Sequence, residues 1–519
     1  MMTLGNVFTF TAGWQEMIMI ALYFGFMIYI GWYAYQKSTS NIDEYMLGGR
    51  NIGPWVTALS AGASDMSGWM LMGLPGEAYS AGVSAAWIAI GLTIGAYVNY
   101  HVTAPRLRVY SEVSNNSITL PEFFANRFRD QTSILRTVSG LVIIVFFAVY
   151  TASGMVSGGK LFENAFDINY YIGLFVVAGI VIFYTFLGGY LAVSLTDLFQ
   201  GTIMFIAMII VPTVAIITLT TEYDVEPLVR LNELASINEI SYLSLFAGVT
   251  FVTIVSGLAW GFGYFGQPHI IVRFMSARSH KILPAARRIG ISWMAIALSG
   301  SVVTGILGVV FIDTTSNEIV DPETILILMS QVLFNPFVGG FFLAAILAAI
   351  MSTISSQLLV ASSSLVQDFF RPIRNLTKKK ENKTDEQLDK MYVTIGRFAV
   401  VLVAIVAIII AWDDESVILD LVAEAWAGFG SAFGPLVILA LHWKKMTRSG
   451  AVAAIVTGAT TVILWTYVFD SFGTGLYSMI PGFFLSLIAG IVVSLMTQRE
   501  ITQDMKREFV RTTEIVKDK

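Results

Sequence analysis

Long apolar stretches separated by short polar segments follow one another along almost the whole chain. A membrane-spanning helix needs about 20 apolar residues, and a tilted one up to about 25. Thirteen predicted spans meet this measure, and they lie at residues 14–36, 54–79, 83–104, 133–158, 168–187, 190–219, 243–271, 289–313, 326–366, 393–412, 416–442, 449–469 and 472–497. The ninth stretch is too long for one span, so we expect a separate short helix that ends at Asn335-Pro336. The pattern predicts an all-α membrane protein with many crossings.

The composition excludes a soluble protein of several domains. Only 13% of the 519 residues are charged and 55% are apolar, whereas an ordinary globular chain carries about 25% charge. The chain has no cysteine, which excludes thiolate metal sites, disulfides and thiol nucleophiles. The segment Gly154–Lys160 has the glycine spacing of a phosphate-binding loop, but Leu161 replaces the required Ser or Thr. We therefore do not expect an enzyme.

The basic residues predict how the chain is oriented, because cytoplasmic loops carry the excess of Lys and Arg. With an external N-terminus, 29 of the 31 basic residues fall on the cytoplasmic side, and only Lys160 and Arg230 do not. The lysine-rich run 378–383 lies in one of these loops. We expect a multi-pass protein of the cell membrane with its C-terminus in the cytoplasm, and a first span that is retained because no basic residue precedes it.

Asp65 stands in the middle of the second predicted span, about 16 Å from its start at 1.5 Å per residue. An acid at this depth is costly and is by default a functional residue. Its neighbours Gly62, Ser64, Ser67 and Gly68 favour an unwound segment, whose freed carbonyls can coordinate an ion. The alternative is an acid that is neutralised against a neighbouring helix.

The ninth predicted span carries a second polar cluster near its midpoint, made of Ser352, Thr353, Ser355 and Ser356. Hydroxyls together with backbone carbonyls form a neutral shell of hard oxygens that suits an alkali cation, whereas a divalent ion would need more carboxylates. The alternative is that these hydroxyls bond back to carbonyls of their own helix.

The seventh predicted span is interrupted by four glycines and a proline between Ser256 and Pro268. Trp260 and Tyr264 are four residues apart in it and can line one cavity, although packing or lipid contact is the alternative reading. The second and seventh spans thus carry breaks at matching positions of two oppositely oriented groups, 54–219 and 243–442. Such a pair is typical of an inverted-repeat transporter with a site near the membrane midplane.

Five stretches carry a resemblance to a known family: Leu47–Arg50, Ala58–Trp69, Gly263–His269, Ala348–Thr353 and Ala425–Gly430. There the chain resembles the sodium:solute symporter family, most closely its bacterial members that transport proline. The resemblance runs from the first span to the last. It implies a single transporter domain over 1–519 with a LeuT-type core of two inverted five-helix repeats, preceded by one helix and followed by two within 449–497 and by a cytoplasmic tail at 498–519.

The implied function is sodium-coupled symport of L-proline into the cell by alternating access. Sodium ions, proline and membrane lipid are the implied partners, with no nucleic acid and no obligate protein partner. Two alternatives stay open, namely symport of another small solute and coupling to protons with Asp65 as the carrier. A membrane sensor on the same fold would need a signalling domain that the short tail does not supply.

The resemblance also implies the site residues. The sodium ligands would be the carbonyls of Ala63, Met66 and Ala349 and the hydroxyls of Ser352 and Thr353. The proline site would comprise Asp65, Ser67, Gly68, Tyr150, Trp260, Tyr264 and Pro268. Arg50, together with Asp65, matches positions tied to sodium coupling.

A second sodium is a further expectation. Asp197 of the sixth span and Ser355 and Ser356 of the ninth lie at comparable depths, and some family members use corresponding positions to bind sodium. The alternative is that Asp197 only bonds these hydroxyls or caps a helix. Asp420 and Glu424 stand in the eleventh span at positions where a near relative in this family has no acids, and their role is open.

Overall fold

The computed structural model describes residues 13–37, 42–317, 319–376, 384–469 and 473–518. The N-terminal end and the lysine-rich run 378–383, which supported the predicted orientation, lie outside these residues. Within them the chain is helical and forms no strand, apart from one isolated bridge between Ile52 and Ala277.

The helices of the first half, in chain order, are α1 Trp14–Lys37, α2 Ile42–Leu47, α3 Pro54–Asp65, α4 Leu74–Ala81, α5 Ala86–Val102, α6 Ala104–Val113, α7 Leu120–Arg127, α8 Ile134–Phe166, α9 Tyr170–Thr221 and α10 Pro227–Asn238. Those of the second half are α11 Phe251–Ala259, α12 Pro268–Ser276, α13 Leu283–Thr315, α14 Ile325–Val332, α15 Pro336–Ser364, α16 Arg371–Leu376, α17 Asp385–Ile410, α18 Ile418–His442, α19 Arg448–Leu464, α20 Met479–Met496 and α21 Gln503–Lys517.

Eleven helices among the described residues are long and apolar enough to cross a membrane. The count of thirteen spans stays a prediction, because the seventh predicted span is interrupted and the C-terminal part of the second continues into the third as Trp69–Val102. The short helix expected before Pro336 is confirmed, since α14 ends at Val332 and Asn335 caps α15. The segment 243–250 of the seventh prediction is not helical.

The second predicted span is broken in its middle, as its small residues indicate. Helix α3 ends at Asp65, Met66 leaves helical geometry with ψ at 78°, and the helix resumes in the wide turn Trp69–Gly73 before α4. Gly68 is required here, because a Cβ atom at this position would lie 2.3 Å from the Ser157 hydroxyl oxygen. The break therefore packs tightly against α8.

The seventh predicted span breaks at the matching place. Helix α11 gives way to the tight turn Trp260–Phe265, and α12 begins at Pro268, a residue that suits the first turn of a helix because it lacks an N–H group. A further kink at Gly189, with φ at +56°, divides α9 into the fifth and sixth predicted spans.

The two broken helices lie inside the bundle, and α15 passes beside them. α3 contacts α9, α12, α13 and α15, while α15 also packs against α1, α8 and α17. Helices at the periphery expose large apolar side chains such as Phe398, Ile409 and Ile488, which are more than half exposed and suit contact with lipid. The tail helix α21 packs on α6. This arrangement encloses the polar residues of α3 and α15.

Candidate functional site

Four of the five predicted sodium ligands come together between α3 and α15. The Ser352 hydroxyl donates hydrogen bonds to the carbonyls of Ala63 at 2.7 Å and Ala349 at 3.0 Å. The Thr353 hydroxyl lies 3.3 Å from the same Ala63 carbonyl. Met66, the fifth, is fully buried at the end of α3, and the part played by its carbonyl stays a prediction.

The chemistry of this cluster, which we call the oxygen cluster, fits an alkali cation. Its oxygens are neutral hydroxyls and carbonyls, buried from solvent and shared by a broken helix and an intact one. Among the described residues no group of three or more His, Cys, Asp or Glu side chains could hold a metal ion. A weakly hydrated monovalent cation with hard-oxygen preference matches this donor set better than a divalent one.

Asp65 connects the two breaks. One carboxylate oxygen accepts a short hydrogen bond from the Tyr264 hydroxyl, while the other is buried and has no hydrogen-bond partner among the described residues. The Asp65 carbonyl accepts hydrogen bonds from the Trp69 indole at 3.0 Å and the Tyr150 hydroxyl at 3.2 Å. The unpaired carboxylate oxygen is the one acidic group of the predicted proline site, so it suits a positively charged ligand group.

An aromatic wall surrounds Trp260. Its ring centroid lies 5.4 Å from that of Tyr477, 6.2 Å from that of Trp69 and 6.4 Å from that of Trp426. Tyr264 meets the Trp426 ring edge-on at 5.1 Å. Sequence reasoning missed Trp69, Trp426 and Tyr477 as members of this wall, although the first two belong to stretches that carry the family resemblance.

A cavity of about 920 Å³ opens beside the aromatic wall, with Trp260 and Tyr477 in its lining. Its lining contains four acids, Glu77, Glu239, Asp420 and Glu424, and no Lys or Arg. Asp420 and Glu424, the two acids of α18 in this lining, thus lie in the same cavity as the aromatic side chains of the site. A cavity with one sign of charge raises the local concentration of cations.

Ser67 lies in the break after α3 and Gly68 begins the helix that resumes there, whereas Pro268 belongs to the other broken helix. The Ser67 hydroxyl accepts a weak hydrogen bond from the Trp69 backbone N–H at 3.4 Å. Pro268 is buried at the start of α12 and lines a separate small cavity together with Met46 and other residues. The place of Pro268 in the substrate site stays a prediction.

The group predicted to hold a second sodium contains a residue that sequence reasoning missed. The Arg273 guanidinium donates hydrogen bonds to Asp197 at 3.1 Å, to Ser356 at 2.6 Å and to Ser60 at 3.0 Å. Ser60 also donates to Asp197 at 2.6 Å. Ser355 instead donates to a carbonyl of its own helix at 3.0 Å.

Arg273 is 1% exposed and provides a positive charge beside Asp197. A second sodium there stays a prediction, and it requires the guanidinium to move away, because two cations would otherwise share one carboxylate. A single arginine within the apolar run of α12 was the signal that could have identified it.

The Arg50 side chain links the C-terminal end of α12 to α6 and to the segment that follows it. Its guanidinium donates to the carbonyls of Met275 at 2.8 Å and Ser117 at 2.6 Å, and to the side chains of Ser111 at 3.0 Å and Asn116 at 2.9 Å. These contacts hold the end of a broken helix in position, and a role of Arg50 in coupling stays a prediction.

Comparison with known proteins gives consistent results. Residues 45–458 match the model of the sodium:solute symporter family. Over 511 residues the chain is 56% identical to the sodium/proline symporter of Staphylococcus aureus strains JH9 and NCTC 8325, and the match covers 96% of this chain and 96% of each relative.

Two solved structures share the fold. One is a Na⁺-coupled sialic acid symporter in a substrate-bound outward-open state, with a TM-score of 0.74 at 18% identity, covering 93% of this chain and 98% of the other. The second is a nucleobase-cation-symport-1 family transporter in a closed conformation, with a TM-score of 0.53 at 12% identity, covering 91% and 98%. The predicted all-α fold of LeuT type is confirmed.

Proposed function

The chain belongs to the sodium:solute symporter family, and from that premise we propose that it carries L-proline into the cell together with sodium by alternating access. The observation that carries this proposal is the oxygen cluster beside the break at Asp65, since it joins a cation site and a substrate site through one interrupted helix. The high identity to relatives named sodium/proline symporters favours proline as the solute.

Sodium would bind within the oxygen cluster. Ser352 and Thr353 would turn their hydroxyl oxygens towards the ion, and the carbonyls of Ala63, Met66 and Ala349 would complete the shell. The Ser352 and Thr353 hydroxyls now donate to the Ala63 carbonyl, so these groups are already close enough to share one ion. A bound ion would hold α3 against α15 and thereby fix the break at Asp65.

Proline would bind next to this break. Its apolar ring suits the aromatic wall around Trp260, and its ammonium group suits the unpaired carboxylate oxygen of Asp65. Its carboxylate suits the N–H groups at the start of the resumed helix, near Ser67 and Gly68, because a helix N-terminus favours negative charge. Tyr150 and Tyr264 would fix Asp65 through the hydrogen bonds they already make.

The energy available is adequate for uphill transport. One positive charge that moves down 100 mV releases about 2.3 kcal/mol, and a tenfold sodium gradient adds about 1.4 kcal/mol. Together they support accumulation of a zwitterion by several hundredfold. We place the N-terminus outside and the C-terminus in the cytoplasm of a cell-membrane protein, an orientation supported by the distribution of basic residues.

The repeats would be 54–219 and 243–442, with 14–36 before them and 449–497 after them. The matching interruptions of 54–81 and 251–276 support this division. In alternating access these two broken helices would move with their neighbours against the rest of the bundle, and the acid-lined cavity would close as a path opens on the cytoplasmic side.

Uptake of labelled L-proline into proteoliposomes tests the proposal. An imposed inward sodium gradient should drive accumulation, and an excess of unlabelled proline should abolish it. Proton-driven uptake without sodium would instead show coupling to protons, for which Asp65 would be the candidate carrier. Competition by another solute that is stronger than that by proline would identify a different substrate on the same fold.

A further inference from the structure

A polar cavity of about 390 Å³ lies where three segments meet, on the side that the basic residues assign to the cytoplasm and away from the transport site. Helix α6, the loop that follows α12 and the tail helix α21 all contribute to its lining. Four lining residues are basic, namely Arg108, Arg278, His280 and Arg511, and one lining residue, Glu112, is acidic. The cavity therefore carries an excess of positive charge.

The single acid is already paired. Arg108 donates to the Glu112 carboxylate at 2.6 Å and also to the Ala277 carbonyl, so these two charges neutralise each other. Arg278 and Arg511 are exposed at the cavity, and across the described parts of the chain no acidic side chain forms an ion pair with either. Two guanidinium groups on different segments thus face one cavity without a counter-charge.

The surroundings indicate what kind of anion would fit. α6 directly follows the transmembrane helix α5, and the loop directly precedes α13, so the cavity lies at the membrane boundary that the basic residues assign to the cytoplasm. Val109, Val113 and Ile515 complete the lining with apolar surface. Guanidinium groups bind phosphate through paired hydrogen bonds, and basic pockets at this level bind anionic headgroups.

We propose that this cavity binds a phosphate-bearing anion, supplied by the headgroup of an anionic phospholipid or by free phosphate. Such an anion bridges Arg278 on the loop and Arg511 on α21 and neutralises both. The ring of His280, which already contacts the backbone of Asp518 just beyond α21, lies beside it. The site is separate from the residues assigned to sodium and proline.

The position of the cavity gives the anion a mechanical role. The backbone N–H of Arg278 donates to the Ile52 carbonyl at 3.0 Å, and the Ile52 N–H donates to the Ser276 carbonyl at 3.2 Å. Arg50, next to this bridge, holds Met275 at the end of α12. An anion that binds both the loop and α21 therefore connects the tail helix to the start of α3 and to the end of α12.

Native mass spectrometry of the delipidated full chain in detergent measures the binding directly. Phosphatidylglycerol and phosphatidylcholine are titrated separately, and potassium phosphate is compared with potassium chloride at equal ionic strength. In Arg278→Gln/Arg511→Gln we expect the affinity for the anionic probe to fall by about tenfold or more, since each basic residue near the membrane surface contributes substantially to the attraction. Sodium-dependent binding of proline verifies that the variant is folded.

The matched control is Arg288→Gln/Arg507→Gln, which removes the same charge from exposed positions outside the cavity and should leave the affinity unchanged. Phosphatidylglycerol binding that phosphate does not displace supports the proposal and identifies the lipid headgroup as the source. Displacement by phosphate supports it and shows that the free anion suffices. Equal losses in both variant pairs, or no binding of either anionic probe to the wild-type chain, would overturn it.

Discussion

Removal of a hydroxyl from the oxygen cluster is expected to weaken sodium binding strongly. Ser352 lies within 2.7 Å and 3.0 Å of two of the proposed carbonyl ligands, and Thr353 lies 3.3 Å from one of them. A polar contact to a charged partner contributes about 1.5–3 kcal/mol, which corresponds to a change in affinity of about tenfold to 150-fold. Ser352→Ala should be the more severe variant, because its contacts are shorter and more numerous.

The assay is the initial rate of labelled proline uptake as a function of sodium concentration, at saturating proline and with ionic strength held constant by choline chloride. The half-saturating sodium concentration should rise in Ser352→Ala and Thr353→Ala. Thr353→Ser retains the oxygen and should stay close to wild type. Ser362→Ala is the matched control, because Ser362 is equally buried on α15 but donates only to the carbonyl of Leu359 in its own helix at 2.8 Å.

One result would refute this reasoning. If Ser352→Ala and Thr353→Ala both transport with the sodium dependence of the wild type and of Ser362→Ala, the hydroxyls only satisfy backbone carbonyls. The oxygen cluster would then be a packing feature of the contact between α3 and α15.

Three further predictions follow from the site. Trp260→Ala and Tyr264→Phe should weaken equilibrium binding of proline more than that of sodium, and the reverse order would make these aromatics packing residues. Electrogenic flux measurements should give one charge per proline if Arg273 stays beside Asp197, whereas the predicted second sodium, which has to displace the guanidinium, would give a ratio of two. Neutralising the cavity acids in Asp420→Asn/Glu424→Gln should raise the half-saturating sodium concentration at low ionic strength. That difference should shrink as salt is added, and a salt-independent effect would contradict a long-range electrostatic role.

The sequence predicted the fold well where the signal is local. The breaks lie next to Gly68 and Pro268, where small residues, glycines and a proline interrupt the apolar pattern, and the hydrophobic stretches locate the helices. The limits of the seventh span were wrong at its start, because residues 243–250 are apolar enough to resemble a helix yet form turns before Thr250 caps α11. Hydropathy measures burial in lipid and does not report backbone conformation.

The candidate site was predictable only in part. Ser352 and Thr353 do come close to Ala63, although these positions are almost 300 residues apart and the family resemblance, not their spacing, suggested the contact. Arg273 and Tyr477 were missed, because their importance comes from helices that meet only in the folded bundle. A buried ion pair between α9 and α12 leaves no periodic pattern in either segment.

The central claim is that sodium and proline move together, and thermodynamic coupling tests it in the most direct way. Proteoliposomes are loaded with equal concentrations of sodium inside and outside, the membrane potential is clamped, and an inward gradient of L-proline is imposed. The account predicts a net influx of sodium although no sodium gradient drives it, and this influx should stop when the proline gradient collapses. Proline entry with no accompanying flux of sodium would contradict the account.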